Sequence, residues 1–435
     1  MVKKKINPLT SMIKKHFSDL EKKQKKFTPG KSSIPLAIPP YGWEEVVDAV
    51  DSLLEMKTTM SEKVEKFENL FAKYLGVKHA IMVNSGSSAN LLAMSILSNS
   101  SLSKAKIKKN DEIITPAVTW ATTVYPILNI GATPVFVDVG LEDYTIDPEK
   151  IEKAITKKTK AIFLVHLLGN PCNMSKIKKI ATKHNLLIIE DACEAHGAEF
   201  KNKKVGSFGN LATFSFFASH HITTMEGGMI VTNDSQMYEI GKALRTFGWS
   251  RVLKNKKLYE KNNPEIDPRY LFVSMGYNLR PTELQGAFGI HQIKKLDNLV
   301  KVRISNAEYW NKSLSKYSEY LSLPTNRKYY KHSFLFYPIT IIKNNYFSKK
   351  QLVNYLEKKG IETRPIMAGN FLQQPVAKHI NFKIGSSLKN SQEIMKNSFV
   401  IGNHAGIDSI QRKYISDTII NFILKRLHSK KSFTI

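Results

Sequence analysis

Two histidines in a row, His220 and His221, stand in TFSFFASHHITTMEGGMIVT (213–232), just ahead of a glycine pair that opens a new apolar run. Imidazole titrates near neutrality, so a histidine here suits proton transfer. No metal site is expected: adjacent strand residues point to opposite faces, and neither HxxH nor HExxH spacing occurs. A second segment, NSGSSAN (84–90), follows an apolar run and precedes another. Gly86 permits a tight turn, while Ser87 and Ser88 offer hydroxyls and backbone N–H groups at a helix start, a natural anion site. Taken alone it reads first as an ordinary strand-to-helix turn with serine caps. A third segment, LLIIEDACEAHGA (186–198), ends an apolar strand in Glu190 and Asp191. Carboxylates at the carboxyl end of a parallel strand lie where ligand sites gather. A helix N-cap is the alternative for Asp191. A negative charge there would also suit a cofactor with a pyridine ring, whose protonated nitrogen makes it an electron sink.

The elements that must position these residues alternate in type. Short apolar runs near 81–84, 112–118, 133–139, 161–168 and 186–190 read as buried strands, and SSANLLAMSIL, TTVYPILNI, DPEKIEKAI and MSKIKKIATKH read as helices between them. Such alternation predicts an α/β fold with a mostly parallel sheet covered on both faces. From about residue 297 the pattern changes to one long helix, LVKVRISNAEYWNKSLSKY, followed by a smaller α+β unit. The expected division is a basic N-terminal extension over 1–35, a large α/β domain over 36–296 and a small C-terminal domain over 297–435. The extension carries ten lysines against Asp19 and Glu21 and reads as a short amphipathic helix or an arm.

Composition narrows the function classes. The 435 residues are 42% hydrophobic, enough for a large core. Two cysteines, Cys172 and Cys193, are too few for a disulfide framework or a Cys-ligated iron–sulfur cluster. No apolar run approaches the ~20 residues of a membrane span, and the basic start lacks the apolar stretch of a secretory signal. A cytoplasmic protein is the expectation. The net charge of +28 is spread along the chain and not gathered beside aromatics, which argues for a lysine-coated surface and against a dedicated nucleic-acid module. It would also favour an anionic small substrate.

In this order, the three segments resemble the fold-type-I, pyridoxal-phosphate-dependent sugar aminotransferase and dehydratase family, over roughly 35–409. The resemblance includes PAVTWATT (116–123), GYNLRPTELQGA (276–287), ETRPIMAGNF (362–371) and FVIGNH (399–404). It implies an aspartate-aminotransferase-like fold and a homodimer with shared active sites. It implies that Trp120 stacks on the cofactor ring and Asp191 pairs with its nitrogen, with Glu194 nearby. Gly86, Ser87, Ser88 and Ser215 would hold the phosphate, joined by Asn278 from across the dimer interface. The family's aminotransferases carry a lysine in a segment of the form SKHITTxEGG; the matching residue here is His220. Imidazole has no primary amine and cannot anchor the cofactor covalently. That substitution marks the sugar 3-dehydratases. With no cysteine set downstream, the branch using an iron–sulfur cluster does not fit.

The implied activity is C3 dehydration of a nucleotide-linked 4-keto-6-deoxyhexose, with GDP-4-keto-6-deoxymannose favoured, in 3,6-dideoxysugar and lipopolysaccharide O-antigen biosynthesis. The cofactor would be pyridoxal or pyridoxamine 5′-phosphate held non-covalently, with L-glutamate as amino donor. His220 would be the base. Arg364 is a candidate for the glutamate carboxylate, with a buried ion pair as its alternative. His221 and Asn370 are further substrate candidates, with packing or hydrogen bonding beside the site as the leading alternative for His221. One departure is Phe247 in RTFGWSR (245–251), where that branch has a histidine. The competing readings are a sugar aminotransferase that lacks the usual lysine, and an inactive relative serving as a binding or regulatory subunit.

Overall fold

The computed structural model describes residues 8–23, 26–104, 106–325 and 327–431. Its largest element is an eight-stranded sheet. The strand order is His79–Val83, Gly228–Thr232, Leu211–Ser215, Leu187–Asp191, Thr159–Val165, Glu112–Pro116, Thr133–Val137 and Lys383–Ile384. Only Gly228–Thr232 runs antiparallel to its neighbours; the other pairings are parallel. The strands of the middle of the sheet are buried along almost their whole length, as two-sided cover by helices requires. One apolar cluster joins Phe67, Phe71, Phe214 and Phe216 on one face. On the other, Ile113, Phe163 and Ile189 pack with Leu92 and Ile96 of the helix Gly86–Ser98.

Local signals set the helix ends. Glu62–Leu75 stops at Gly76, which takes the left-handed conformation that glycine adopts at low cost. Met174–His184 starts under the Asn173 side chain, and Glu283–Leu314 starts with a capping box between Thr282 and Gln285. This last helix spans 32 residues. Its first half packs on the large sheet's helices through Ile290, Ile293 and Leu296, and its second half enters another core through Ala307, Trp310 and Leu314. The 296/297 boundary expected from sequence therefore falls inside one continuous helix.

That second core lies under a four-stranded antiparallel sheet of Leu321–Ser322, Phe336–Ile341, Ser398–Gly402 and Thr363–Pro365, with the helices Lys349–Lys358 and Ser409–Lys431. Two features tie this lobe to the rest. Lys383–Ile384 completes the edge of the large sheet. Ile34, buried beside partly buried Phe27, bridges Ile361, so the end of the N-terminal extension belongs to the small lobe's core. Residues 8–23 of the extension form a helix with no buried residue, and Lys14 sits 3.9 Å over the Trp43 ring. Residues 1–7 lie outside the described part. Among the described residues, no helix is long and apolar enough to cross a membrane.

Candidate active site

The carboxyl ends of the parallel strands meet along one edge of the sheet, and the chemistry-bearing residues gather there. Val83 leads into Ser85, which caps the helix Gly86–Ser98: its hydroxyl accepts from the Ser88 amide at 3.1 Å. That first turn abuts the end of the next parallel strand, at Ser215. A Cβ on Gly86 would collide with the Ser215 side chain, and one on Gly228 would collide with the backbone of Ser85. Both positions therefore need glycine, and the loop is drawn tightly against two strands. Ser87 is exposed and Ser88 partly so, with the Ser87 hydroxyl donating to Thr122 Oγ1 at 3.2 Å.

Glu190 and Asp191 end the strand Leu187–Asp191 and face opposite sides, as strand alternation demands. Glu190 is wholly buried and accepts from His166 Nε2 and from the amides of Gly206, Phe208 and Gly209. Burial works against its charge, but these donors hold its carboxyl below the ordinary range. Asp191 faces the anion loop. Its Oδ2 accepts from Asn90 Nδ2 at 2.9 Å and from Thr123 Oγ1 at 2.8 Å, and its Oδ1 from the Cys193 amide at 3.2 Å. Thr119 and Thr123 bracket Trp120, whose side chain is 58% exposed, an uncommon exposure for so large an aromatic.

Glu194 is buried, and its Oε2 accepts from the Leu168 amide at 2.7 Å. Burial pushes its carboxyl up to about 8, the Leu168 amide opposing and the charge of Asp191 adding, so it is a neutral acid near pH 7. His220 sits in the turn after Ser215–Phe216–Phe217, its amide donating to the Phe217 carbonyl. Its imidazole is pulled down to about 4 by burial, with the Arg303 guanidinium adding, so at neutral pH it is an uncharged base. His196 lies edge-on to it, ring centroids 6.4 Å apart, enclosed by Phe71, Phe214 and Phe216. Burial, His220 and Arg303 also keep His196 neutral.

The other sequence candidates are placed as follows. His221 turns into the core, its Nε2 at 3.0 Å from the Ser333 carbonyl. Arg364 is half-exposed and pairs with Glu362 at 2.6 Å; it is not a buried ion pair. Asn370 uses its side-chain oxygen on the Leu372 amide, and its backbone bridges Val118, next to Thr119 and Trp120. Asn278 is exposed, accepting from Arg280 Nε at 3.0 Å. Phe247 holds a left-handed φ of 58° under the Arg280 guanidinium, 4.8 Å from its ring.

Sequence reasoning did not single out Asn90, Thr119, Thr123, Thr213, His196 or Gly228. All six fall within the segments 84–90, 116–123, 186–198 and 213–232; for Asn90 and the three threonines the available signal is a polar side chain in an otherwise apolar, buried stretch. Among the described residues, no three His, Cys, Asp or Glu side chains are grouped to hold a metal ion.

These residues fit a phosphorylated pyridine cofactor. A glycine-dependent cradle of backbone amides suits a phosphate. A buried carboxylate with fixed donors suits a ring nitrogen, and an exposed indole beside it suits the ring face.

Comparison with known proteins agrees. The profile of the DegT/DnrJ/EryC1/StrS aminotransferase family matches residues 41–420. A GDP-4-keto-6-deoxy-D-mannose 3-dehydratase of Escherichia coli O55:H7 is 42% identical over 367 residues, covering 83% of this chain and 93% of its own. The structure of an E. coli GDP-4-keto-6-deoxy-D-mannose-3-dehydratase with bound hydrated PLP superposes with a TM-score of 0.84 at 39% identity, covering 89% of this chain and 100% of that one. A structure of such a dehydratase with a trapped PLP-glutamate geminal diamine gives 0.83 at 40% identity, covering 88% and 99%.

Proposed function

The chain belongs to the DegT/DnrJ/EryC1/StrS aminotransferase family, and on that premise we propose that it is a pyridoxal-phosphate-dependent 3-dehydratase of a nucleotide-linked 4-keto-6-deoxyhexose. GDP-4-keto-6-deoxy-D-mannose is the first substrate to try, with L-glutamate as amino donor. The observation that carries this reading is His220, an uncharged imidazole in the family's lysine position, on a chain that keeps an anion cradle and a buried carboxylate.

When bound, the cofactor supplies an electron sink and carries an amino group between substrates. The amides of Gly86 and Ser87, with the hydroxyls of Ser88 and Ser215, bind its phosphate, and Trp120 covers its ring. Asp191 holds a proton at the ring nitrogen, which keeps the sink effective. His220, free of charge, has a lone pair with which to take a proton from carbon and then deliver it to the hydroxyl leaving C3. Arg364 holds the glutamate carboxylate once Glu362 gives way. The balance closes without an outside reductant. Oxidation of glutamate to 2-oxoglutarate and ammonia supplies the two electrons by which C3 loses its oxygen as water, and a water is consumed in releasing ammonia.

The working unit in this reading is a homodimer in the cytoplasm, making a 3,6-dideoxysugar for lipopolysaccharide. Tyr270, Phe272 and Met275, the last 91% exposed, put apolar surface on the segment that carries Asn278; a second copy would cover it and bring Asn278 to its partner's cradle.

The test is mass spectrometry of GDP-4-keto-6-deoxymannose incubated with the protein, pyridoxal phosphate and glutamate. The expected product lacks one oxygen. A product carrying nitrogen would mean transamination, and an untouched sugar would remove this substrate.

A further inference from the structure

Asp191 owes its orientation to side chains that have no part in the reaction outlined above. A carboxylate has about four lone-pair sites. Asn90 and Thr123 take both of those on Oδ2, and the Cys193 amide takes one on Oδ1. Among the described residues, the remaining site on Oδ1 is met by no donor but the Cys193 thiol, a weak one that also faces Asp191.

Neither Oδ2 donor is free to turn away. The Asn90 amide cannot flip, because its Oδ1 accepts from the Thr213 hydroxyl at 2.6 Å. Thr123 is fixed from behind, because its oxygen accepts from the Thr119 hydroxyl at 2.8 Å. The five side chains are all buried. They come from two helices, two strands and the turn that carries Trp120, and Asp191 is 101 residues from Asn90 and 68 from Thr123.

We propose that Asn90 and Thr123 are positioning residues for the cofactor: by filling one oxygen of Asp191 they leave the other as the single acceptor for the protonated ring nitrogen. The proposal rests on the pyridoxal-phosphate reading above. A carboxylate torsion is otherwise broad and roughly two-fold. Without its anchors, the group could rotate and share its charge between two directions. Thr119 and Thr123 bracket Trp120, so the same chain fixes the backbone that presents the indole.

The test compares Asn90→Leu, Thr123→Val and Thr123→Ser with the unaltered full chain. Pyridoxal phosphate affinity is read by absorbance titration, and ring protonation by the 15N signal of ring-labelled cofactor. Leucine and valine keep the volume and remove the donor. Each should weaken binding about tenfold, the effect of losing one hydrogen bond to a charged group, and shift the ring nitrogen towards its unprotonated position. Thr123→Ser keeps the hydroxyl and should restore both. Should Asn90→Leu not fold, the Thr123 pair decides alone. Unaltered affinity and nitrogen signal in the donor-less variants would overturn the proposal. So would weaker binding with an unchanged nitrogen signal, which marks packing only. Failure of the unaltered chain to bind pyridoxal phosphate would instead remove the reading beneath it.

Discussion

Two buried polar clusters flank the functional end of the sheet, and they are built on opposite rules. Around Asp191, the side chains form a closed chain of donors and acceptors: Thr119 to Thr123 to Asp191, and Thr213 to Asn90 to Asp191. Around His220, both ring nitrogens of His196, the Nδ1 atoms of His220 and His221, and Nε of Arg303 find no hydrogen-bond partner among the described residues. Buried polar groups are paired as a rule, so the second cluster is the exception. The difference is one of task. A satisfied network fixes a charge in one place and one direction. The uncharged imidazole of His220 keeps a lone pair open for a proton, at the cost of unmet polarity around it. The buried Arg303 belongs with the second group: burial lowers its guanidinium to about 9, leaving it charged at neutral pH and biasing nearby histidines against a second positive charge.

The contrast can be broken from either side. The largest effect should come from His220→Asn, which keeps polarity and removes the base. Turnover should fall on the order of 10³-fold while cofactor affinity stays near that of the unaltered chain; a variant that still dehydrates at full rate would dismiss His220 as the proton carrier. Next comes Asp191→Asn, which turns the fixed acceptor into a partial donor facing Asn90 and Thr123. Cofactor affinity should drop about 10²-fold by absorbance titration, whereas retained affinity would mean that the phosphate cradle alone governs binding.

Glu194→Gln acts through pH. The Glu194 carboxyl is near 8 when folded against 4.5 as its ordinary value, so its contribution to stability is present below the ordinary value and lost as pH rises through about 8. Glutamine removes that loss and still accepts from the Leu168 amide. The variant should melt several degrees higher than the unaltered chain at about pH 9 and alike at about pH 4. The smallest change is expected for His196→Phe, which places one more aromatic ring among Phe71, Phe214 and Phe216. His196 is held well below its ordinary value, so the unfolded chain gains a proton that the folded one refuses once pH falls below about 6.5. Melting should change little at neutral pH and rise by a few degrees at about pH 5; a lower melting point in acid would show that the nitrogens of His196 are satisfied in solution.

The satisfied cluster was the less legible of the two. Asp191 could be read from an apolar strand ending in acid, and the Gly86 loop from its glycine and serines. Asn90 looked like the tail of that loop and Thr123 like a residue in a helix, because nothing local reveals hydrogen bonds that span 101 and 68 residues. The adjacent pair His220–His221 was conspicuous, but only the fold separates them, sending one towards the Ser333 carbonyl. Strand positions followed from apolar runs, with errors where a run outlasts its strand. The stretch 161–168 reads as one strand, yet pairing ends at Val165, after which His166 turns to Glu190 and Leu168 takes a left-handed φ of 56° to reach Glu194. The long helix is expected only from about residue 297, whereas it begins at Glu283, and Gly286 and Gly289 in its first half admit Val64 and Phe67 at close range.

The two-residue strand Lys383–Ile384 has a consequence during synthesis. It supplies the outermost partner of Thr133–Val137, yet it leaves the ribosome roughly 10–50 s later at ordinary elongation rates of ~5–20 residues per second. For that interval a parallel strand with an apolar, buried-type face presents an open edge, the kind of template that invites another chain. A nascent chain stalled or truncated before residue 383 should be a substrate for chaperones, and its aggregation should be relieved by slower initiation on the same message.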